Sequence, residues 1–211
     1  MAALREPVLD AAPAAPPAQR LTEEEFVQWC DEDTRAEWVD GEVIVASPAS
    51  YRHVDLAGFL VTVMRLLVTH RDLGVALGPE LQIRLARHRS RRVPDVLFIA
   101  KDRQDIIRPN YIEGAPDLVI EIVSPDSLAR DWREKYLEYE AAGVREYWVI
   151  DPMSQKVEAY ALGEAGHYAQ LPEKDGVIGS TVIAGFYLRT AWLWQEPLPN
   201  VLEAAREFGV L

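Results

Sequence analysis

The chain has 211 residues, of which 49% are apolar and 27% charged, a balance that suits one globular domain with a well-filled core. Its formal net charge of −12 argues against a generic nucleic-acid binder, which is usually basic. The lone Cys30 excludes an internal disulfide and a cysteine-based zinc site, and points to a reducing cytoplasm.

The N-terminus, MAALREPVLDAAPAAPPAQR, is rich in Ala and Pro, is interrupted by Glu6 and Asp10, and has no apolar core of a signal peptide. We read residues 1–19 as a flexible tail and 20–211 as a single domain. Thr22 followed by Glu25 is a capping box, so LTEEEFVQWCDED opens with a helix. RAEWVDGEVIVAS reads as a hairpin around Asp40-Gly41. In SPASYRHVDLAGFLVTVMRLLVTHRDLG, Leu56, Phe59, Leu60, Val63, Leu66 and Leu67 recur at helical spacing. The apolar run 56–68 within it is too short to span a bilayer and contains Arg65, so no membrane partner is expected.

VALGPELQIRLA alternates Leu81, Ile83 and Leu85 with Glu80, Gln82 and Arg84, the pattern of a half-exposed strand. From Arg84 to Arg108 the chain then holds eight Arg or Lys and only three acids, Asp95, Asp102 and Asp105. A solvated hairpin tip accounts for the basic segment RLARHRSRRV. A phosphate-contacting edge accounts for it too, and would present Arg87, Arg89, Arg91 and Arg92 to a nucleic-acid backbone. VPDVLFIA and DLVIEIVS are strands, the second apolar on both faces as in a covered central position. Pro125, Asp126 and Ser127 start a helix, LARDWREKYLEYEAAG, that Gly143 ends. VREYWVID is a strand parallel to its neighbour across that helix. KVEAYAL, GHYAQ and STVIAGFYL form a terminal meander, and PNVLEAAREFG a last short helix. The order from residue 50 is helix, strand, strand, strand, helix, strand: an α/β architecture with a mixed sheet flanked by helices.

Two acids interrupt apolar strands, Asp95 in VPDVLFI and Glu121 in VIEIV. An unpaired buried charge is costly and tends to shift its pKa and neutralise. If the two strands are neighbours, both carboxylates meet on one face, where they repel unless a cation lies between them. Mg²⁺ (or Mn²⁺) suits the position, being a hard ion that takes one or two carboxylates and several waters. The Ile122 carbonyl is placed to add a third oxygen. The alternative is that each acid pairs with an Arg or caps a turn. Lys135, on the next helix, has Asp131 four residues before it and Glu138 three after, enough for a surface ion-pair ladder. It is also one short crossover from Glu121, where its ammonium would orient a water or steady charge on a phosphate oxygen. His53 is either a plain residue of the helix start or a phosphate contact and proton carrier near neutral pH. Glu80 or Gln82, on the strand expected to hairpin with that of Asp95, would complete the ion's shell, only one of them facing it. Asp117 reads as a strand-start residue and Asp151 as a turn residue. Trp132, Tyr136 and Tyr139 follow the spacing of a core-facing stripe.

The segments VDGEVIVASPASYRH, VPDVLFIAKDR, GAPDLVIEIVSPDS, DWREKYLEYEAAGVREYWVIDP and KVEAYAL resemble the Uma family of bacterial restriction endonucleases, within the PD-(D/E)XK nuclease superfamily. The resemblance runs over roughly residues 20–195 and is most specific from Gly114 to Pro152. It implies a restriction-endonuclease-like core with an added terminal β-meander, and Mg²⁺-dependent hydrolysis of DNA. With one domain per chain, cutting both strands would need a homodimer. On this resemblance Asp95 matches the motif aspartate and Glu121 the motif acid. The lysine expected two residues after that acid is replaced by Val123, and the resemblance implies that Lys135 fills the gap. The same departure leaves open a nuclease-fold protein that binds nucleic acid or a partner protein without cutting.

Overall fold

The computed structural model describes residues 16–31, 34–124, 127 and 130–211. The expected tail is therefore described only from residue 16, and Pro125 and Asp126 of the expected helix start lie outside the described residues. Helix α1 (Glu23–Trp29) opens with the capping box: the Thr22 hydroxyl accepts the Glu25 N–H, and the Glu25 carboxylate accepts the Thr22 N–H. β1 (Ala36–Val39) and β2 (Glu42–Val45) form the hairpin, and Asp40 and Gly41 take the positive φ values of 47° and 94° that its tight turn requires. The Ser50 side chain caps α2 (Tyr51–His70) by accepting the His53 N–H. There follow β3 (Gly74–Leu77), β4 (Gln82–Leu85), β5 (Ser90–Arg92), β6 (Val96–Ala100), β7 (Tyr111–Glu113) and β8 (Leu118–Ile122). A π-turn over Arg130–Glu134 leads into α3 (Lys135–Ala142), which Gly143 ends in the left-handed conformation at φ 84°. The chain closes with β9 (Glu146–Asp151), β10 (Lys156–Leu162), β11 (Tyr168–Gln170), β12 (Val177–Gly179), β13 (Tyr187–Arg189) and α4 (Val201–Glu207).

The strands form a six-stranded sheet, β11-β10-β9-β8-β6-β3, a five-stranded sheet, β2-β1-β5-β4-β7, and the separate pair β12-β13. β8 is central and buried throughout. It runs parallel to β9 across α3, as a crossover helix dictates, and antiparallel to β6. Its alternation divides the core. Leu118, Ile120 and Ile122 pack with α2, while Val119 and Val123 pack on the other face with Tyr139 of α3. By length and composition α2 is apolar enough to cross a membrane; here Leu56, Leu60, Met64, Leu67 and Val68 bury it against the sheet.

Three strand expectations are corrected. VALGPELQIRLA is not one strand: Pro79 has no N–H to donate and Glu80 takes φ 96°, so the chain breaks between β3 and β4 and the two halves join different sheets. The basic segment is a solvated hairpin tip only around Ala86–Arg89, between β4 and β5; Ser90–Arg92 is a buried strand, β5, between β1 and β4. Of the terminal meander, β10 and β11 extend the six-stranded sheet, whereas STVIAGFYL bends at Gly185 (φ 73°) and only its last residues pair, in β13.

Candidate active site

Asp95 directly precedes β6, where Val96 sits opposite Ile120 of β8. Continuing that register by one residue brings Asp95 beside Glu121, on the face that α3 covers. Both acids are buried, at 4% and 3% exposure. Asp95 Oδ1 accepts from His53 Nε2 at 2.8 Å and from Arg35 at 3.2 Å, while Oδ2 accepts the Ile122 N–H at 2.8 Å. Glu121 points at α3, where one helical turn offers two partners: Lys135 Nζ lies 2.9 Å from Oε2, and the Tyr139 hydroxyl donates to Oε1 at 2.9 Å.

Lys135 is buried at 5% exposure and is not a surface ladder residue. Its ammonium touches three carboxylates: Glu121, Glu37 Oε1 at 3.2 Å and Asp131 Oδ1 at 3.2 Å. All three contacts are ion pairs, and Asp131 Oδ1 has no hydrogen bond among the described residues. Glu138, the other expected ladder partner, turns instead to Arg92.

Glu37 arrives from the other sheet, on β1. Sequence reasoning missed it. Its signal was that of Glu121, a carboxylate inside a covered strand, but in a strand of four residues beside a turn. Oε1 also accepts the Val93 N–H at 3.1 Å, and Oε2 pairs with Arg92 at 2.9 Å. Arg92 is 1% exposed and is clasped between Glu37 and Glu138.

These groups floor a cavity of about 510 Å³. Asp95, Glu121, Ile122, Lys135, Asp131, Glu37 and His53 line it, as does Val123. The loop after β2, from Ala46 to Ser50, and Pro152–Met153 form its walls, with Arg35, Arg52 and Arg130 among the lining side chains. Burial alone would raise the Asp95 carboxyl, yet the hydrogen bond and charge of His53 and the Ile122 N–H outweigh it and hold its pKa below the usual carboxylate range. Burial pushes Glu121 well above that range; Lys135 opposes the shift, and the Asp131, Asp95 and Glu37 carboxylates add to it. Asp131 is also pushed up, chiefly by burial. Glu37 is buried too, but Lys135 and Arg92 pull it down to about 2. For Lys135 itself, burial disfavours the ammonium, and the Glu121, Glu37 and Asp131 carboxylates prevail, keeping it above the usual lysine range.

The structure thus gathers Asp95, Glu121, Ile122, Lys135 and His53 at one cavity. It leaves the other candidates elsewhere. Glu80 is exposed in the turn before β4, and Gln82, on β4, donates to the Ala36 carbonyl and accepts from Arg91; neither lines the cavity, because β3 and not their strand pairs with β6. Arg91 and Arg92 are buried and spent on Glu23, and on Glu37 and Glu138, so they are withdrawn from any backbone-tracking surface. Arg87 and Arg89 are exposed, Arg89 beside Asp40. Asp117 is a buried anchor for the Ala100 N–H, Arg103 and Arg145, and Asp151 caps the turn at Met153 and Ser154. Tyr139 is core, with Trp132 and Tyr136 packed beside it.

Among the described residues no group of three or more His, Cys, Asp or Glu side chains is arranged to cage a metal. A hard divalent ion does not need one, since two carboxylates with water suffice. The donor chemistry here fits such an ion. The floor offers the carboxylate oxygens of Asp95 and Glu121, the hard donors that such an ion takes.

Residues 23–191 match the family model Uma2, described as "Putative restriction endonuclease". No curated protein matches the chain. A crystal structure of "a putative nuclease belonging to DUF820" from Anabaena variabilis superimposes with a TM-score of 0.69 at 22% identity, covering 82% of this chain and 97% of that one. This likeness is one of fold: the two chains share the mixed α/β architecture. Since the family match spans most of its length, the chain belongs to the Uma2 family of restriction-endonuclease-like proteins.

Proposed function

We propose that the chain is a Mg²⁺- or Mn²⁺-dependent endonuclease that hydrolyses phosphodiester bonds of DNA, acting in the cytoplasm as a homodimer. The observation that carries this reading is the meeting of Asp95, Glu121 and Lys135 at one cavity with arginines on its walls. On this reading the two acids serve as the PD-(D/E)XK acid pair, with the lysine supplied from the following helix. Val123 packs in the core, and the Lys135 amine stands 2.9 Å from Glu121 in its stead.

Asp95, Glu121 and the Ile122 carbonyl would hold the ion. When bound, it supplies charge neutralisation at phosphorus and a more acidic water. Lys135 orients the attacking water or steadies a phosphate oxygen. Arg35, Arg52 and Arg130 bind flanking phosphates. His53, held by Asp95, carries a proton to or from solvent. Incubating the purified full chain with single- and double-stranded DNA in Mg²⁺ or Mn²⁺ tests the reading. Cleavage that stops on chelation, and in Asp95→Asn and Glu121→Gln, is expected. No cleavage of any nucleic acid, or cleavage indifferent to both substitutions, overturns it.

A second reading, a binding protein that does not cut, draws on one observation: both Asp95 oxygens already accept from protein donors, and all three Lys135 contacts are carboxylates. Nucleic-acid or protein binding that survives chelation and Glu121→Gln would favour it.

A further inference from the structure

We propose that Glu37 is a positioning residue for Lys135: reaching across from the five-stranded sheet, it holds the ammonium in place when Glu121 gives up its ion pair to a divalent ion or a substrate phosphate. The proposal rests on the nuclease reading for its use, but not for its test.

An ammonium has three hydrogens, and Lys135 lies within ion-pair distance of three carboxylates. To serve water or phosphate it must release one of them. Glu121 is the one that the nuclease reading assigns to the ion. The remaining two are unequal. Asp131 sits on the π-turn, and the oxygen it turns to Lys135 accepts no hydrogen bond among the described residues. Glu37 is braced on both oxygens, by the Val93 N–H and by Arg92. Arg92 is braced in turn by Glu138, one turn beyond Lys135 on α3. The four residues close a ring, Lys135–Glu37–Arg92–Glu138, that starts and ends on the same helix. A carboxylate held at a fixed place by two donors cannot follow Glu121 as it turns, so the lysine stays where Glu37 is.

Lys135 is one of four lysines, with Lys101, Lys156 and Lys174, and the only one of them that is buried. Slowly exchanging Nζ hydrogens in a ¹⁵N spectrum therefore report on it alone. Glu121→Gln imitates the loss of the Glu121 pair without any metal or substrate. In that variant the Lys135 signal should persist. In Glu37→Gln/Glu121→Gln it should vanish into exchange with water, while the backbone spectrum stays that of a folded chain. If the double variant does not fold, Glu37→Asp/Glu121→Gln keeps the charge but draws it back by one methylene, and a weakened signal is expected. A double variant with the Lys135 signal of Glu121→Gln overturns the proposal, since Asp131 would then suffice. On any nucleic acid that the native chain cleaves, Glu37→Gln should lower kcat about 100-fold with KM nearly unchanged. A native chain that cleaves nothing would defeat the nuclease reading and leave the spectroscopic result standing.

Discussion

On the cavity floor Asp95 accepts from an imidazole, a guanidinium and a backbone N–H. Beside it, Glu121 has a phenol and one ammonium that it shares with Glu37 and Asp131. Both carboxylates sit on the same face of neighbouring strands and both are buried. Burial pushes both upward; the donors at Asp95 overcome it and leave Asp95 below the usual range, whereas Lys135 does not overcome it at Glu121, which lies above that range. Burial sets the cost of a charge; the count of donors against competing carboxylates sets who bears it. Two carboxyl groups pushed apart in this way are the pattern expected where one must stay ionised and the other must respond to a ligand.

The largest expected effect removes either carboxylate. Asp95→Asn and Glu121→Gln should each cut metal-dependent cleavage by about 1,000-fold, and chelation should match them. A variant that retains more than a tenth of native activity would end the claim for that carboxylate.

Next comes the cation that Glu121 shares with Glu37 and Asp131. Lys135→Met leaves Glu37, Glu121 and Asp131 without their shared counter-charge, at a cost of about 3–5 kcal/mol at pH 8. The loss should shrink at pH 5, where the abandoned carboxyls take up protons. Denaturant melts at the two pH values measure it, and equal losses would contradict the picture.

The comparison itself is sharpened by opposite pH slopes in metal-free protein. The folded pKa of Asp95 lies below its unfolded value of about 3.9, so its contribution is present above that pH and lost as pH falls through the folded value. Asp95→Asn should therefore cost about 1–3 kcal/mol at pH 7 and less in acid. The folded pKa of Glu121 lies above its unfolded value of about 4.3, so its contribution is full below that pH and lost as pH rises through the folded value. Glu121→Gln should gain on the native chain with rising pH, by at most about 1.4 kcal/mol per unit. Thermal melts from pH 4 to 8 decide; slopes of the same sign for the two variants would refute the contrast.

The smallest effect concerns the arginines. Arg87→Ala, at an exposed site, should flatten the salt dependence of nucleic-acid affinity by about one unit of slope if it meets a phosphate. Arg91→Ala should leave that slope alone and lower Tm, because Arg91 is spent on Glu23.

Much of this site was legible because charge inside an apolar strand is a loud signal. Asp95 and Glu121 stood out from their neighbours, and Lys135 was one crossover away. The α2 and α3 periodicities, the capping box and the Asp40-Gly41 hairpin are local features and were equally plain. What could not be read depended on distant partners. RLARHRSRRV looks the same whether its arginines face water or buried acids. The acids that claim Arg91 and Arg92 come from α1, β1 and α3, between 46 and 68 positions away. Glu37 was hidden for the same reason: a glutamate beside a hairpin turn is unremarkable until the opposite sheet brings a lysine to it. Gln82 was misplaced because one Pro and one positive φ sent its strand to a different sheet.

The ring through Lys135, Glu37, Arg92 and Glu138 also bears on the order in which the chain matures. α3 and β8 are near neighbours in sequence and can meet early, whereas β1 and β5 must return from the N-terminal half of the chain to meet them. Such non-local contacts form late, after their loop-closure entropy has been met. A chain with only its six-stranded sheet assembled would hold the acid pair and pair its lysine with Glu121 and Asp131, but without the braced Glu37. The final docking of one sheet on the other would then be the step that closes the ring.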